Sequence, residues 1–434
     1  MLEKINKKIV PNNVVNDLIK LYNKNEFLQI LEKEKQFAFL YKDSIDVLNI
    51  FGSTYLALKN CKRAINNFNK AIKLNPNIPT IYYNLGLAYH HIGNMDVAIA
   101  NYKKAIDIKP DYDEALNNMG MALEQKGEVR EAIDKYNKVL EINPGHAGAY
   151  YNLGNIFSKN DNLSLAIKNY NRAIDIKPDY ADAYFNLGNT LRVQGNLKEA
   201  VNAYEEGILI EPDNQSMKHI IASLTGKKTE KAPREYVENL FDDYAYKFEA
   251  SLVDKLEYKI PKLIRNILIK LNDNQALGSV LDLGCGTGLF GEKIKNHCTK
   301  LHGIDLSNKM LTLAKQKNAY NKLMQTDIIE YLLAMPLGFD YYVALDVFIY
   351  VGDLNEIFRL IKTRNKKPGH FVFSTEHTVK DGYHLLRTGR YSHSKSYIEN
   401  LCKKFDYNLT HYSTIDLRKE KGEFLTGGIY VLSF

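Results

Sequence analysis

Apolar residues in the first half of the chain recur at the spacing of helices that bury one face. In residues 79–112 they fall at i, i+3, i+4 and i+7, first around Tyr82 and again around Tyr102. Gly93 interrupts the first run because glycine is flexible, and Pro110 ends the second because proline has no N–H to donate. The pattern predicts two amphipathic helices joined by a short turn.

This two-helix pattern repeats with a step of 34 residues. The step is shared by the glycines Gly52, Gly86, Gly120, Gly154 and Gly188, the alanines Ala64, Ala98, Ala132, Ala166 and Ala200, and the prolines Pro76, Pro110, Pro144, Pro178 and Pro212. One helix pair cannot bury its apolar face alone, so neighbouring pairs must stack. We therefore predict a solenoid of five units, at 45–78, 79–112, 113–146, 147–180 and 181–214.

The segments on either side of these units follow the pattern only in part. Residues 1–44 are predicted to form a degenerate repeat or an N-terminal cap, because 11–44 lacks the three ladders. Residues 215–225 are predicted as a capping helix that ends at Gly226, which closes the repeat domain at 45–226. The polar residues 227–232 are predicted to be a linker.

The 34-residue helix–turn–helix unit resembles the tetratricopeptide repeat. The resemblance implies an all-α solenoid whose first helices line a groove. Four asparagines share one position on those helices: Asn84, Asn118, Asn152 and Asn186. An asparagine amide there can hold a peptide backbone, which favours a protein or peptide as partner. A solenoid that serves only as a scaffold is the alternative.

From residue 233 onward, short runs rich in β-branched and aromatic residues alternate with helical stretches. Such alternation predicts βαβ units, and therefore a mainly parallel sheet with helices on both faces. The predicted domain spans 233–434. Its seven predicted strands are 279–283, 301–305, 323–326, 341–346, 371–375, 409–417 and 429–434.

A glycine-rich turn after the first of these strands is the candidate ligand site. Glycines without Cβ atoms let a ligand touch the backbone, and the following helix offers unpaired N–H groups. Residues 286–291 match the dinucleotide-binding G-x-G-x-x-G, whereas 282–288 match D-x-G-x-G-x-G. The apolar strand stops at Leu283, so the tight turn must use Gly284. Asp282 would repel a pyrophosphate and attract a cation, which favours the second interpretation.

The D-x-G-x-G-x-G turn resembles that of class I S-adenosylmethionine-dependent methyltransferases, which have a Rossmann-like fold. The resemblance implies S-adenosylmethionine as methyl donor, with Asp305 on the ribose and Asp327 beside the adenine. The segment 241–248 resembles a helix of bacterial proteins that fuse the two domain types, and Tyr244 in it is expected to cover the donor. The full set expected to bind the donor is Asp282, Gly284, Gly286, Gly288, Asp305, Leu306, Asp327, Ile328, Asp346 and Tyr244.

Residues beyond the fourth and fifth strands are the candidates for the acceptor side. The candidates for catalysis are Asp346, His377 and His393, and either histidine could take up the proton that a nucleophile loses. Those for binding the substrate are Arg387, Arg390 and Tyr391, and either arginine could bind a carboxylate or phosphate. The (N/D)-P-P-(Y/F) turn of enzymes that methylate adenine or glutamine amides does not follow the fourth strand, which disfavours such acceptors.

The composition indicates the cellular compartment of the protein and the kinds of partner that it binds. The net charge is +7, but the lysines are scattered, so no nucleic-acid surface is expected. The four cysteines form no C-x-x-C pair and the histidines no H-E-x-x-H motif, so we expect a reducing cytoplasm and no metal. No apolar run is long enough to span a membrane, and we expect neither a transmembrane helix nor a secretory signal.

Three functions remain open at this point. The first is a methyltransferase that acts on a protein or peptide held by the repeats, and the fusion of the two domain types favours it. The second is a small-molecule methyltransferase whose repeats serve assembly. The third is a scaffold without catalysis, which the intact glycine turn and its acids disfavour.

Overall fold

A computed structural model of the chain describes residues 11–40, 43–249, 258–420 and 423–434. Its contacts divide the chain into two compact units, Met1–Ile210 and Glu211–Phe434. The described part of the first unit is helical, and the second unit contains a sheet with helices. Within these ranges, no helix has the length and apolar character needed to cross a lipid bilayer.

The first unit consists of consecutive helix pairs. Five pairs, from α3–α4 to α11–α12, fall inside the five predicted 34-residue units, and α1–α2 form another pair before them. The helices are α1 (Asn12–Asn23), α2 (Phe27–Leu40), α3 (Ile45–Ala57), α4 (Cys61–Leu74), α5 (Pro79–His91), α6 (Met95–Ile108), α7 (Asp113–Lys126), α8 (Val129–Ile142), α9 (Ala147–Lys159), α10 (Leu163–Ile176), α11 (Ala181–Gln194) and α12 (Leu197–Ile210).

The glycine ladder exists because an aromatic ring occupies the space beside each glycine. A Cβ built on Gly86 would lie 2.6 Å from the ring of Tyr102, and one on Gly154 would lie 2.6 Å from the ring of Tyr170. Both tyrosines are buried. The two helices of a pair therefore approach closely only where the first carries no side chain, as the sequence pattern predicts.

Side-chain caps start several of the second helices. The side chains of Asn60, Asn94 and Asn162 accept hydrogen bonds from backbone N–H groups three residues later, at the starts of α4, α6 and α10. Gly127 and Gly195 end α7 and α11 in the left-handed conformation. The turns thus have a fixed geometry, which keeps the helix pairs alike.

The second unit begins with helices and continues as an α/β domain. Its helices are α13 (Gln215–Thr225), α14 (Arg234–Glu249), α15 (Ile260–Leu271), α16 (Leu289–Ile294), α17 (Asn308–Gln316), α18 (Ile328–Ala334), α19 (Asn355–Arg364) and α20 (Lys395–Phe405). Its strands are β1 (Ser279–Leu283), β2 (Lys300–Asp305), β3 (Lys322–Gln325), β4 (Tyr341–Ala344), β5 (His370–His377), β6 (Tyr383–Leu385), β7 (Tyr391–His393), β8 (Asn408–Glu420) and β9 (Glu423–Ser433).

These strands form one mixed sheet in which β3, β2, β1, β4 and β5 are neighbours in that order and parallel. Strand β9 pairs antiparallel with β5 and with β8. The Rossmann-like, mainly parallel fold is confirmed. The prediction of seven strands was two short, because β6 and β7 are three-residue strands that hold the segment after β5 against the end of β5.

Both faces of the sheet are covered. Val280 and Leu281 are adjacent in β1, and they pack into two different apolar clusters. Since successive side chains of a strand point to opposite faces, these clusters are the two layers of the domain. In open α/β sheets, ligands bind at the edge formed by the carboxyl ends of the parallel strands.

The segment predicted as capping helix and linker lies in the second unit. The carbonyl of Glu230 accepts hydrogen bonds from the backbone N–H groups of Gly352 and Asp353, both at 2.8 Å. The N–H of Ala232 donates to the carbonyl of Tyr350 at 2.9 Å. Residues 230–232 are therefore fixed on the α/β domain by backbone hydrogen bonds.

Candidate active site

A cavity of about 440 Å³ lies at the carboxyl ends of the parallel strands of the second unit. Among the residues that line it are most of those expected to bind a donor: Asp282, Gly284, Gly286, Asp305, Leu306, Asp327, Ile328 and Asp346. Gly288 is not among them. The structure thus brings acids from the carboxyl ends of four strands to one cavity.

The glycine turn after β1 has the conformation that only glycine adopts at low cost. Gly284, Gly286 and Gly288 have φ angles of 72°, 53° and 84°. A Cβ on Gly284 would meet Val347, whereas one on Gly286 meets nothing within 4 Å. Gly291 lies inside α16. This position agrees with the prediction that the tight turn uses Gly284.

Asp282 lies beneath this turn and is almost fully buried. Its Oδ2 accepts a hydrogen bond from the hydroxyl of Tyr320 at 2.7 Å. Burial raises the pKa of Asp282 to about 7, against the lowering effect of that hydrogen bond. No sequence pattern indicated Tyr320, because it lies in an irregular segment between α17 and β3.

Asp305 holds the glycine turn in place from the end of β2. Its two carboxylate oxygens accept hydrogen bonds from the backbone N–H of Gly286, at 2.8 Å, and of Ser307, at 2.9 Å. Burial raises the pKa of Asp305. Each oxygen keeps a second lone pair, which is what two ligand hydroxyls would require.

Asp327 lies two residues beyond the end of β3, at the N-terminus of α18. Its Oδ1 accepts hydrogen bonds from the N–H groups of Ile329, at 2.8 Å, and Glu330, at 3.3 Å. The predicted strand 323–326 placed this acid directly after the strand. The position of the carboxylate is instead set by helix capping, and Ile328 beside it is the first residue of the helix.

Helix α14 covers part of the cavity through Phe241. This ring lines the cavity and meets Tyr350 edge-on, with ring centroids 5.4 Å apart. Asp242 accepts a hydrogen bond of 2.5 Å from Ser307, which ties α14 to the start of α17. The side chain of Tyr244, the residue expected to cover the donor, lies outside the described residues.

A buried arginine that the sequence did not indicate organises the other end of the cavity. Arg418 is 4 % exposed and pairs with Asp346 at 2.6 Å and with Glu376 at 2.5 Å. Burial alone would lower the pKa of Arg418, but the two carboxylates outweigh burial and raise it. Arg390 also pairs with Glu376, at 2.9 Å, and with Glu420.

Asp346 lies two residues beyond β4 with a φ angle of 57°, an uncommon conformation for a residue other than glycine. Arg418 binds its Oδ2, and its backbone N–H donates to the hydroxyl of Ser374 at 2.9 Å. Its Oδ1 is buried and has no hydrogen-bond partner among the described residues. Strain and an unpaired acceptor both point to a functional position.

Four residues that we expected on the acceptor side do not line the cavity: His377, His393, Arg387 and Tyr391. His393 is fully buried in β7, where its Nε2 donates to the carbonyl of Gly352 at 2.9 Å. Burial lowers the pKa of His393 to about 4, so this imidazole is neutral and inaccessible. The prediction of a proton acceptor at His393 is therefore corrected.

The positions of His377, Arg387 and Tyr391 are likewise set by the strands β5, β6 and β7. His377 pairs with His393 across β5 and β7, and Arg387 is exposed. Tyr391 is buried, with its hydroxyl 2.5 Å from that of Thr229. Of the expected substrate residues, only Arg390 reaches the cavity, because the short hairpin of β6 and β7 turns its neighbours away.

The backbone beside Arg390 is held by α13. The Nε2 of His219 donates to the carbonyl of Gly389 at 2.9 Å, and the His219 ring packs against Tyr236 and Tyr391. Gly389 has a φ angle of 81°. The helix that follows the repeats in sequence therefore positions a residue of the cavity wall.

The four asparagines of the repeats form contacts between successive units. The Nδ2 of Asn118 donates to the hydroxyl of Tyr83 at 2.9 Å, and that of Asn186 to the hydroxyl of Tyr151 at 3.0 Å. Asn84 and Asn152 donate to residues of the preceding unit in the same way: Asn49 and Asn117. Each carboxamide keeps its oxygen as an acceptor.

Comparison with known families agrees with both halves of this architecture. Models of the tetratricopeptide repeat match residues 52–93, 77–145, 135–168, 159–192 and 181–214. A model described as a methyltransferase domain matches residues 274–426. The chain joins tetratricopeptide repeats to a methyltransferase domain. The glycine turn, Asp305, Asp346, Arg390 and Arg418 all belong to the matched methyltransferase region.

Curated relatives of the methyltransferase domain are named as O-methyltransferases. The ubiquinone biosynthesis O-methyltransferase of Ralstonia nicotianae is 32% identical over 114 residues, 25% of this chain and 48% of that protein. The malonyl-[acyl-carrier protein] O-methyltransferase of Bacillus anthracis is 28% identical over 120 residues, which are 26% of this chain and 44% of that protein. The chain thus spans about half the length of these relatives.

Among solved structures, a crystal structure of MamA is 28% identical, with 37% of this chain and 94% of that chain covered and a TM-score of 0.35. The magnesium protoporphyrin IX methyltransferase of Synechocystis PCC 6803 with bound S-adenosylmethionine is 15% identical. The match covers 40% of this chain and 78% of that chain, with a TM-score of 0.32. In the described part of the chain, no group of His, Cys, Asp and Glu side chains is arranged to hold a metal ion.

Proposed function

We propose that this chain methylates a protein or peptide held by its repeats, with S-adenosylmethionine as donor. The main observation in favour of this donor is that the glycine turn, Asp282, Asp305 and Asp327 line one cavity. A side chain on Gly286 would meet open space, so the turn offers bare backbone to a ligand.

Bound S-adenosylmethionine supplies a methyl group that its positively charged sulfur has already activated. The residues of the chain then bind and orient the two reactants, which is the main task in such a reaction. Asp305 suits the ribose hydroxyls, Asp327 and Ile328 suit the adenine, and Asp282 suits an ammonium group. Phe241 and Tyr350 are the aromatic wall that excludes water.

On the acceptor side we assign the central role to Asp346. Its unpaired Oδ1 is the group best placed to take a proton from a nucleophile, while Arg418 holds its Oδ2 at 2.6 Å. Arg390 lines the same end of the cavity. His377 and His393 have no part in this assignment, because neither lines the cavity.

The repeats supply the acceptor half of the proposal. The asparagine oxygens recur at one position of successive units, and a peptide backbone offers N–H donors at regular intervals. Binding energy from many weak backbone contacts would hold a polypeptide without demanding one sequence. A methyltransferase domain alone would have no use for such a surface, which supports a polypeptide acceptor.

The test uses donor with a radiolabelled methyl group. Purified full chain, labelled donor and a cell extract are mixed, and protein is separated from small molecules. We expect label in protein bands, and loss of at least about ten-fold when Asn118→Ala and Asn152→Ala are combined. The matched control combines Asn101→Ala and Asn169→Ala, whose side chains bond only to carbonyls of their own second helices.

Each outcome decides one half of the proposal. Equal labelling by the Asn118/Asn152 and Asn101/Asn169 variants, with both folded by circular dichroism, contradicts a role of the ladder in holding the acceptor. Absence of label in every fraction contradicts methyl transfer itself. An Asp305→Ala variant, which loses the hydrogen bonds to the backbone N–H groups of Gly286 and Ser307, serves as the inactive reference.

A small-molecule acceptor is the second candidate. The cavity end near Arg390 is flanked by Phe241 and Tyr350, which suits a compact apolar molecule with a polar group. The curated relatives also include a protein named for ubiquinone biosynthesis. Label confined to the small-molecule fraction, and unaffected by the asparagine variants, would favour this candidate and leave the repeats as scaffold.

A reducing cytoplasmic compartment fits the cysteines. Cys61, Cys285 and Cys402 are buried free thiols, and Cys298 is a half-buried one. Burial raises the pKa of Cys298 to about 11 and that of Cys402 to about 11, so both remain protonated and poorly reactive.

A further inference from the structure

Tyr320 fills a hollow that three glycines create beside the ligand turn. A Cβ on Gly303 would lie 2.8 Å from the Tyr320 ring, one on Gly288 would lie 3.1 Å from it, and one on Gly291 would collide with it. These glycines come from β2, from the turn and from α16. Three separate elements thus leave room for one aromatic side chain.

The segment that carries Tyr320 is fixed on the sheet. The backbone N–H of Asn321 donates to the carbonyl of Leu301 at 2.8 Å, and its side-chain oxygen accepts from the N–H of Leu301 at 2.7 Å. This pair of bonds joins the residue after Tyr320 to β2. The ring therefore enters the hollow from a rigid base, and its position does not depend on a flexible loop.

At the far end of the hollow, the Tyr320 hydroxyl donates to Asp282 Oδ2 at 2.7 Å. Asp282 is 2 % exposed, yet it lines the cavity. Among the residues that the structure describes, the other titratable groups that face it are Asp305 on β2, Cys285 in the turn and Tyr258 before α15. None of these is a cation, so the hydroxyl of Tyr320 is the group that favours the charged carboxylate.

We propose that Tyr320 is a positioning residue that keeps the Asp282 carboxylate ionised, and thereby sets the pH range in which the cavity binds a cationic methyl donor. The inference rests on the proposed function, since it requires a donor with an ammonium group at this site. The glycines at 288, 291 and 303 then serve a second purpose, which is to admit the tyrosine ring.

The sign of the effect follows from charge. Burial and the nearby Asp305 favour the protonated acid, and the pKa of Asp282 is about 7. A cationic donor prefers the ionised acid, so its affinity should fall as the pH drops through this value. Loss of the Tyr320 hydrogen bond removes the group that favours ionisation. The midpoint of the affinity profile should therefore move to higher pH, by roughly one unit.

The experiment is titration calorimetry of the full chain with S-adenosylmethionine between pH 5.5 and 8.5. The variants are Tyr320→Phe, Asp282→Asn and the two combined, with Tyr331→Phe as a control for loss of the hydroxyl of another buried tyrosine. The amino group of the donor titrates alike in every series. Differences between variants consequently report on the protein.

We expect Tyr320→Phe to weaken binding about ten-fold at pH 6.5 and far less at pH 8.5. In the Asp282→Asn background the same change should have no further effect, because the tyrosine acts through that acid. A merely structural role of the ring would lower affinity equally at every pH and in both backgrounds. Tyr331→Phe should leave the profile unchanged.

Other outcomes overturn the inference in distinguishable ways. Binding by the unchanged chain, with superimposable profiles for Tyr320→Phe, rejects the role of Tyr320 alone. Absence of donor binding by the unchanged chain rejects the proposed function. If Tyr320→Phe does not fold, 3-fluorotyrosine at position 320 retains the hydroxyl and donates a stronger hydrogen bond. It should move the midpoint to lower pH, and no movement would reject the inference.

Discussion

At the scale of single residues, Arg418 shows how a buried charge organises the acceptor end of the cavity. Its guanidinium lies between the acid that follows β4 and the acid at the end of β5. Three strands therefore meet at one ion pair network. Such a network is costly to assemble in a dry environment, and removing Arg418 leaves the Asp346 carboxylate without its ion-pair partner and Glu376 with Arg390 alone.

We predict that Arg418→Met destabilises the second unit by about 3–5 kcal/mol, because breaking a buried pair leaves uncompensated charge. Chemical denaturation followed by circular dichroism measures the change. The control is Arg359→Met, which removes an exposed arginine paired with Glu356 on the same helix and should not change stability measurably. Equal effects of the two substitutions would contradict the proposed charge balance.

The sequence did not predict that Arg418 is buried, because its burial depends on a register shift in β8. Side chains of a regular strand alternate between faces, so Leu417 and Arg418 should not both be buried. The pairing of β8 with β9 slips between Asp416 and Arg418, and both Leu417 and Arg418 are buried. A β-bulge of this kind turns a side chain inward without any mark in the hydrophobic pattern.

At the scale of elements, the repeat units are specified by a ladder of glycines opposite aromatic rings. We predict that Gly154→Ala destabilises the first unit by about 1–3 kcal/mol, because its Cβ would lie 2.6 Å from the ring of Tyr170 in a tightly packed contact. The control is Gly145→Ala, whose Cβ would approach the Asn143 side chain only to 3.4 Å. Thermal unfolding of both variants tests the difference, and similar melting temperatures would refute it.

Element boundaries in the methyltransferase domain were predicted less closely than element types. The parallel strands follow one another along the chain as predicted. However, β3 ends two residues before Asp327, and β4 ends two residues before Asp346. The reason is local: Asp327 caps α18, and Asp346 adopts a left-handed conformation. Neither feature alters the hydrophobic pattern from which strand ends are inferred.

At the scale of the whole molecule, the second unit starts before the methyltransferase domain that the family model matches. Its first residues, from Glu211, include α13 and the segment that reaches α14. His219 bonds to Gly389, Thr229 to Tyr391, Glu230 to Gly352 and Asp353, and Ala232 to Tyr350. These contacts fix the wall of the cavity from outside the matched domain.

We predict that a chain of residues 211–434 folds and binds S-adenosylmethionine, whereas residues 233–434 are less stable. The shorter chain loses the contacts of α13 and of 229–232, which at about 1 kcal/mol for each hydrogen bond amounts to roughly 5 kcal/mol. Denaturant titration and donor calorimetry of the two chains give the comparison. Identical stability would show that the contacts of residues 211–232 are dispensable.

The sequence by itself determined the two fold classes, the helix pairs and the glycine turn, because each rests on local periodicity or on residues adjacent in the chain. The acids at the carboxyl ends of β1 and β2 were predictable for the same reason, since parallel strands end at one edge of a sheet. Only the tertiary structure decided which side chains reach the cavity. Tyr320, Arg418 and His219 act over 38 to 170 residues of chain through packing, a bulge and a backbone carbonyl, so no local pattern reveals them.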